Sequence, residues 1–135
     1  MKRFEVQGID LEVSRGEAFA FIADPARLPK WTDAFASVAD GRALMRTPAG
    51  EVPIVLDVDA SSEKGTIDWR MTFPDGSVAA AFSRVVGIDS THCVFSFILT
   101  PPPVPLEQLE GALEAQAQTL SKELQRLKRL LERKR

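Results

Sequence analysis

The sequence of 135 residues has one cysteine, one histidine and no tyrosine. A lone Cys93 excludes an internal disulfide, and with His92 the sole histidine no Cys/His zinc cluster can form. Histidine is the commonest general acid–base, so that chemistry has one position at most. His92 follows Asp89-Ser90-Thr91 in a turn and reads as a surface residue, while Cys93 reads as a small buried hydrophobe. No run approaches the ~18 apolar residues of a membrane span, and the opening "MKRFEVQ" lacks the apolar core of a signal peptide. The cytoplasm is therefore the expected compartment, with no stable membrane insertion. A net charge of −2 gives no general attraction to nucleic acid or an anionic surface. Glycine-rich phosphate loops are missing too. The pairs Asp57/Asp59 and Glu63/Asp68 fall at solvent-facing positions, so neither a metal nor a cofactor is expected.

What is present is strand periodicity, then one helix. A chain of this length suits a single domain, 1–135, with one core. In "TIDWRMTF" Ile67, Trp69, Met71 and Phe73 alternate with polar residues, the period of a half-buried strand. "VPIVLDVDA" and "HCVFSFILT" alternate likewise, which predicts adjacent antiparallel strands. Asp75-Gly76 signals a two-residue hairpin turn. Closing there pairs Met71 with Ala80, Trp69 with Phe82 and Ile67 with Arg84. A turn on "SSEK" sets Leu56 opposite Trp69, and a six-residue loop from Gly87 to His92 sets Phe97 opposite Phe82. All the large apolar side chains then share one face. Near the N-terminus, Phe4 and Val6 have one parity and Ile9, Leu11 and Val13 the other; a β-bulge at Gly8 would restore a common face.

Helix signals are local and strong. Ser14-Arg15-Gly16-Glu17 is a capping box, which starts a helix at Arg15 with Ala18, Phe19 and Ile22 inward. Asp24 can cap a second turn with Pro25 at its first position. Pro25 and Pro29 then allow only short helices before Trp31. After the stiff connector "TPPPVP", leucines recur every three or four residues from Leu106 to Leu131, the stripe of one long amphipathic helix. Its length exceeds the width of a small sheet, so its far end, around Leu124 to Leu131, is expected to project. Gly111 within that stripe invites a bend or close approach.

The order of elements, with Asp24-Pro25 to Trp31 in "D-P-x-x-x-P-x-W", the Asp-Gly hairpin and the tail helix, resembles the START-like (SRPBCC) helix-grip superfamily, which includes polyketide cyclase/dehydrase-like and lipid-transfer proteins. The resemblance implies an α+β fold over the whole chain: a curved antiparallel sheet of about seven strands, two short helices after strand 1, and a long C-terminal helix across the concave face. It also implies a cavity between sheet and helix, with Trp31 plugging the corner where the short helices enter.

The register gives that gap an apolar lining of Leu56, Trp69, Met71, Phe82, Phe95, Phe97 and Leu99 from the sheet and Leu109, Leu113 and Ala117 from the helix. Arg84 shares the parity of Phe82 and either orients an acidic ligand or snorkels out to a surface carboxylate. The expected activity is binding of a small apolar or amphipathic molecule, as a carrier or sensor. A cyclase/dehydrase-type enzyme would need an ionisable group in the cavity, for which Arg84 is the candidate; an interaction module without ligand is the third reading. Val55, Ala79, Ala81, Val85, Val94 and Ile98 would face outward, an apolar patch that suggests a homodimer. The last ten residues carry +5, read as a solvated helix end.

Overall fold

A computed structural model describes residues 4–47, 50–100 and 106–133, with side chains from 111 onward in the last segment. β1 (Glu5–Leu11) leads to α1 (Arg15–Ala23), a 3₁₀ turn (Pro25–Arg27) and α2 (Leu28–Trp31). Six strands follow: β2 (Phe35–Ala39), β3 (Arg42–Thr47), β4 (Gly50–Ser61), β5 (Thr66–Thr72), β6 (Val78–Asp89) and β7 (His92–Leu99). The helix α3 (Leu106–Arg133) closes the chain. All seven strands form one antiparallel sheet in the order β1-β7-β6-β5-β4-β3-β2.

The local signals at the first corner act as expected. The Ser14 side chain accepts from Glu17 N at 3.2 Å, and α1 buries Ala18 and Ile22 as expected, with Phe21 buried in place of Phe19, which is half-buried. Asp24 Oδ1 accepts from Ala26 N at 3.1 Å, and Pro25 opens the 3₁₀ turn. Trp31, 1% exposed, stands edge-on to Phe95 with ring centroids 6.3 Å apart. The connector 101–105 and the last two residues lie outside the described residues.

Three turns differ from the expected register. The chain turns on Phe73-Pro74-Asp75-Gly76: Gly76 N donates to Phe73 O and Phe73 N to Ser77 O. Gly76 has φ +89 whereas Asp75 does not adopt positive φ. A two-residue primed turn would need positive φ at Asp75, but Pro74 fixes its own φ near −65° and so favours the first central position of an ordinary turn. The glycine then forms a one-residue bulge, as in three-residue hairpin loops. That extra residue reverses the parity of β6: Met71 pairs with Ala79, Trp69 with Ala81 and Ile67 with Ser83. The β4–β5 turn moves by two positions, pairing Leu56 with Met71 and Val58 with Trp69, which leaves the faces unchanged. Between β6 and β7 the six-residue loop is absent. Asp89 pairs with His92 across Ser90-Thr91, and Gly87 with Cys93, with an irregularity between.

β1 has no bulge either. It pairs with β7 in continuous register from Glu5↔Leu99 to Leu11↔Cys93. An unbroken ladder keeps its hydrogen bonds, and the consequence is that Phe4 and Val6 are exposed while Glu5 and Gln7 share the parity of buried Ile9 and Leu11.

α3 packs against β1 and α2, and its far half is core rather than projection. Leu120, Leu124, Leu127 and Leu131 are all buried, each worth roughly 2 kcal/mol on removal from water. The end is pinned to β1: Lys128 Nζ donates to Asp10 O and Glu132 Oε2, both at 2.8 Å, and Glu132 Oε2 accepts from Glu12 N at 2.9 Å. Gly111 is exposed, and a Cβ there would meet open space, so no close approach explains it.

A second anchor joins α3 to the start of β2. Buried Glu123 accepts through Oε2 from Asp33 N at 2.6 Å and Ala34 N at 3.3 Å, while Arg126 Nη1 donates to Asp33 Oδ1 at 2.8 Å. Burial pushes the Glu123 carboxyl above the usual carboxylate range, outweighing the two backbone N–H groups. With the folded value above the unfolded one, this group's contribution to stability is complete below the unfolded value and is lost as pH rises through the folded one. Glu123→Gln keeps an acceptor and removes the charge. Its melting temperature, compared with wild type from pH 4 to 8, is expected to gain on wild type as pH rises; a pH-independent difference would contradict the assignment.

Candidate functional site

The parity of β6 decides what the concave face carries. Leu56, Trp69, Met71, Phe95 and Phe97 are buried on it, Leu99 is half-buried, and Ala79, Ala81, Ser83 and Val85 occupy β6 between them. Phe82, 42% exposed, and exposed Arg84 lie on the convex face instead. Arg84 Nε donates to Lys64 O at 3.3 Å, so the side chain expected to orient an acid turns to a loop carbonyl. Of the helix candidates Leu113 is buried and Ala117 half-buried, while the side chain of Leu109 lies outside the described residues.

Small residues on β6 have a packing consequence. Strands β5 and β7 flank β6 and are therefore about 9–10 Å apart. Yet the rings of Trp69 and Phe97 stack with centroids 5.5 Å apart, and so lean together across the Ala81 and Ser83 positions. Phe95 meets Phe97 edge-on at 6.0 Å, which links Trp31, Phe95, Phe97 and Trp69 into a continuous aromatic chain. The Ser83 hydroxyl donates to Ile67 O at 2.6 Å and is satisfied.

Two polar side chains missed by the sequence reading share this face. Gln7 Nε2 donates to Glu5 Oε2 and to Ala117 O, both at 2.9 Å, tying β1 to α3. Dropping the Gly8 bulge and keeping strict alternation from Ile9 back to Glu5 would have found them. Among the described residues, Trp69 Nε1, Trp31 Nε1 and Gln116 Oε1 are buried without a hydrogen-bond partner. An unpartnered buried polar atom carries a desolvation cost of about 1–3 kcal/mol.

The open space lies to one side of the aromatic chain. A pocket of about 370 Å³ is floored by Leu56 and Val58 of β4 and walled by Asp24, Pro25 and Ala26 on one side and Val38, Ala39, Asp40 and Gly41 on the other. Its second wall is a hairpin the sequence reading passed over: Asp40 and Gly41, at φ +53 and +75, form a two-residue turn between paired Ala39 and Arg42. Val58 pairs with Trp69, so the pocket floor adjoins the aromatic chain. Of the expected lining only Leu56 belongs to it.

No cluster that could hold a metal occurs among the described residues. His92 Nδ1 sits 3.1 Å from Asp89 Oδ1 in an exposed turn, remote in register from the Trp69 row. Burial raises the Cys93 thiol above its ordinary range, as befits an unreactive core residue. Among the described residues no helix is long and apolar enough to cross a membrane.

No protein-family model matches the chain, and no curated protein matches it in sequence. Solved structures do match in shape. A START superfamily protein from Mycobacterium smegmatis superposes with TM-score 0.66 at 13% identity, over 96% of this chain and 99% of that one. The chain has the START-like helix-grip fold. The Zhui aromatase/cyclase from Streptomyces sp. R1128 shares this fold with TM-score 0.69 at 12% identity, covering 97% and 94% of the two chains. The protein XoxI from Bacillus cereus does so with TM-score 0.71 at 14% identity, covering 96% of each. In START-like terms the pocket lies between the short-helix corner and the sheet. The outward apolar set differs from the expected one: Val55, Val94 and Ile98 are joined by Val6, Phe82 and Val86, while Ala79, Ala81 and Val85 turn inward.

Proposed function

We propose that this protein binds one small apolar or amphipathic molecule in the pocket beside the concave face, as a carrier or sensor and without covalent chemistry. The observation that carries this reading is the pocket itself. Its volume of about 370 Å³ falls in the range of small-molecule sites, its floor is aliphatic, and it adjoins a buried indole whose N–H has no partner among the described residues. The shared fold with proteins named as a START superfamily member and an aromatase/cyclase supports it further.

A cyclase-type reaction has less support: Arg84 faces away from the pocket, and of the two acids that line it Asp24 is taken up by Ala26 N and Arg27 Nε while Asp40 sits on an exposed turn. Glu5 is the one acid of the described strands that shares the buried parity, and its partner Gln7 already holds it.

The test uses the neutral fluorescent probe N-phenyl-1-naphthylamine on the full chain. Saturable one-site binding is expected, and Val58→Glu, which places a charge on the half-buried floor, is expected to weaken it at least about tenfold, with circular dichroism unchanged. Absence of saturable binding to the wild type, or equal binding by the variant, would overturn the reading.

A further inference from the structure

An antiparallel sheet with one solvated face ordinarily points its apolar residues inward and its polar ones outward. The convex face of this sheet does not. Val6, Val55, Val78, Phe82, Val86 and Ile98 all point outward from it and are 39–55% exposed. Val6, Ile98 and Phe82 are direct neighbours across β1, β7 and β6, and Val94 and Val86 form a second such row four residues along. Only Gly8, Ser96 and Arg84 lie between the two rows, so small residues leave the β1–β7 side of the patch unbroken. A monomer seldom exposes a continuous apolar patch of more than a few hundred Å². We infer that this face stacks on the same face of a second copy of the chain, forming a two-fold dimer.

Charge selects this occupant over others. Asp68 and Asp59 continue the row of Val6, Ile98 and Phe82 onto β5 and β4, while Arg84 and Arg70 stand in the rows on either side. None of these four charged groups forms an ion pair among the described residues. A nucleic acid or an anionic lipid surface would meet the two aspartates, and a lipid interior would strip water from all four groups. A second copy turned about a two-fold axis lays apolar surface on apolar surface and brings its own arginines to these acids, each contact being made twice. The size of the face agrees. From β1 to β4 and from Val78 to Val86 it measures about 19 by 26 Å, roughly 500 Å² in plan. That is more than the ~400 Å² per partner of casual contacts and less than the ~800 Å² of a standard stable interface, which makes the dimer reversible. Leu56 and Val58, the pocket floor, point to the opposite side of the sheet, so pairing leaves the pocket of each copy open.

Sedimentation velocity of the full chain between about 2 and 500 μM reads this out. The mass is expected to rise from 14.9 kDa toward twice that value with concentration. The double variant Phe82→Thr/Ile98→Thr keeps good strand formers on the exposed face and should move the midpoint at least about tenfold higher, with circular dichroism unchanged. Val6→Lys, at a 55% exposed position of an edge strand, should shift it in the same direction and serves if the double variant fails to fold. A wild type that stays monomeric throughout overturns the inference, and does so equally if it then binds vesicles of neutral phosphatidylcholine. A dimer that the variants leave intact also overturns it, since another surface would then hold the copies together.

Discussion

Gly65→Ala is expected to cost about 3 kcal/mol, a large share of the roughly 5–15 kcal/mol that holds an ordinary domain folded. Gly65 ends the β4–β5 loop at φ +76, a conformation that costs a side-chain-bearing residue about 1–2 kcal/mol. Its surroundings add to this. A Cβ would run into the carbonyl oxygen of Val85, a backbone atom that cannot swing aside, because Val85 N is itself bonded to Gly65 O at 2.8 Å. The Arg15 guanidinium lies over the same spot, donating to Ser62 O and, at 3.2 Å, to Glu63 O. The control is Gly76→Ala: φ there is +89, but no atom lies within reach of the added methyl, so only the backbone strain should be felt. Urea denaturation of both variants checks this, and equal losses would contradict it.

Trp69→Ala should destabilise by about 3–5 kcal/mol, while Trp69→Phe should stay within about 1 kcal/mol of wild type. The alanine variant empties the space over Ala81 and Ser83 and leaves Phe97 without its stacking partner. Phenylalanine refills most of that volume and discards an indole N–H that has no acceptor among the described residues, so little hydrogen-bond energy is lost. Thermal unfolding of the two variants discriminates. If phenylalanine proves as costly as alanine, the N–H is in fact well bonded, and it ceases to be evidence of a ligand.

The comparison of two Asp-Gly dipeptides shows how far local sequence carries. Asp40-Gly41 makes the two-residue primed turn that the dipeptide favours. Asp75-Gly76 does not, because the proline before it sets the backbone for a different turn, and the added residue reverses β6. Phe82 and Arg84 were placed in the site through that single step. Leu56, Trp69 and Met71 kept their face because the β4–β5 turn moved by two positions, and Phe95, Phe97 and Leu99 kept theirs because the changed β6–β7 turn reversed the parity a second time and cancelled the first reversal. Nothing in the alternation of residues could reveal the pocket, whose walls come from a 3₁₀ turn and a hairpin distant in sequence from its floor.

From the sequence by itself came most strands and their alternation, the capped helices at Ser14 and Asp24 and the long leucine-striped helix, all of which depend on interactions within a few residues, while the helix-grip arrangement was implied by the family resemblance alone. Tertiary structure alone decided that α3 lays its far leucines into the core, that Glu5 and Gln7 share the parity of the buried strand residues, that Trp69 stacks on Phe97 across β6, and where the empty volume lies. The physical reason is that a face is a property of parity. One residue inserted at a turn costs little locally, yet it carries every later side chain of that strand to the other side of the sheet.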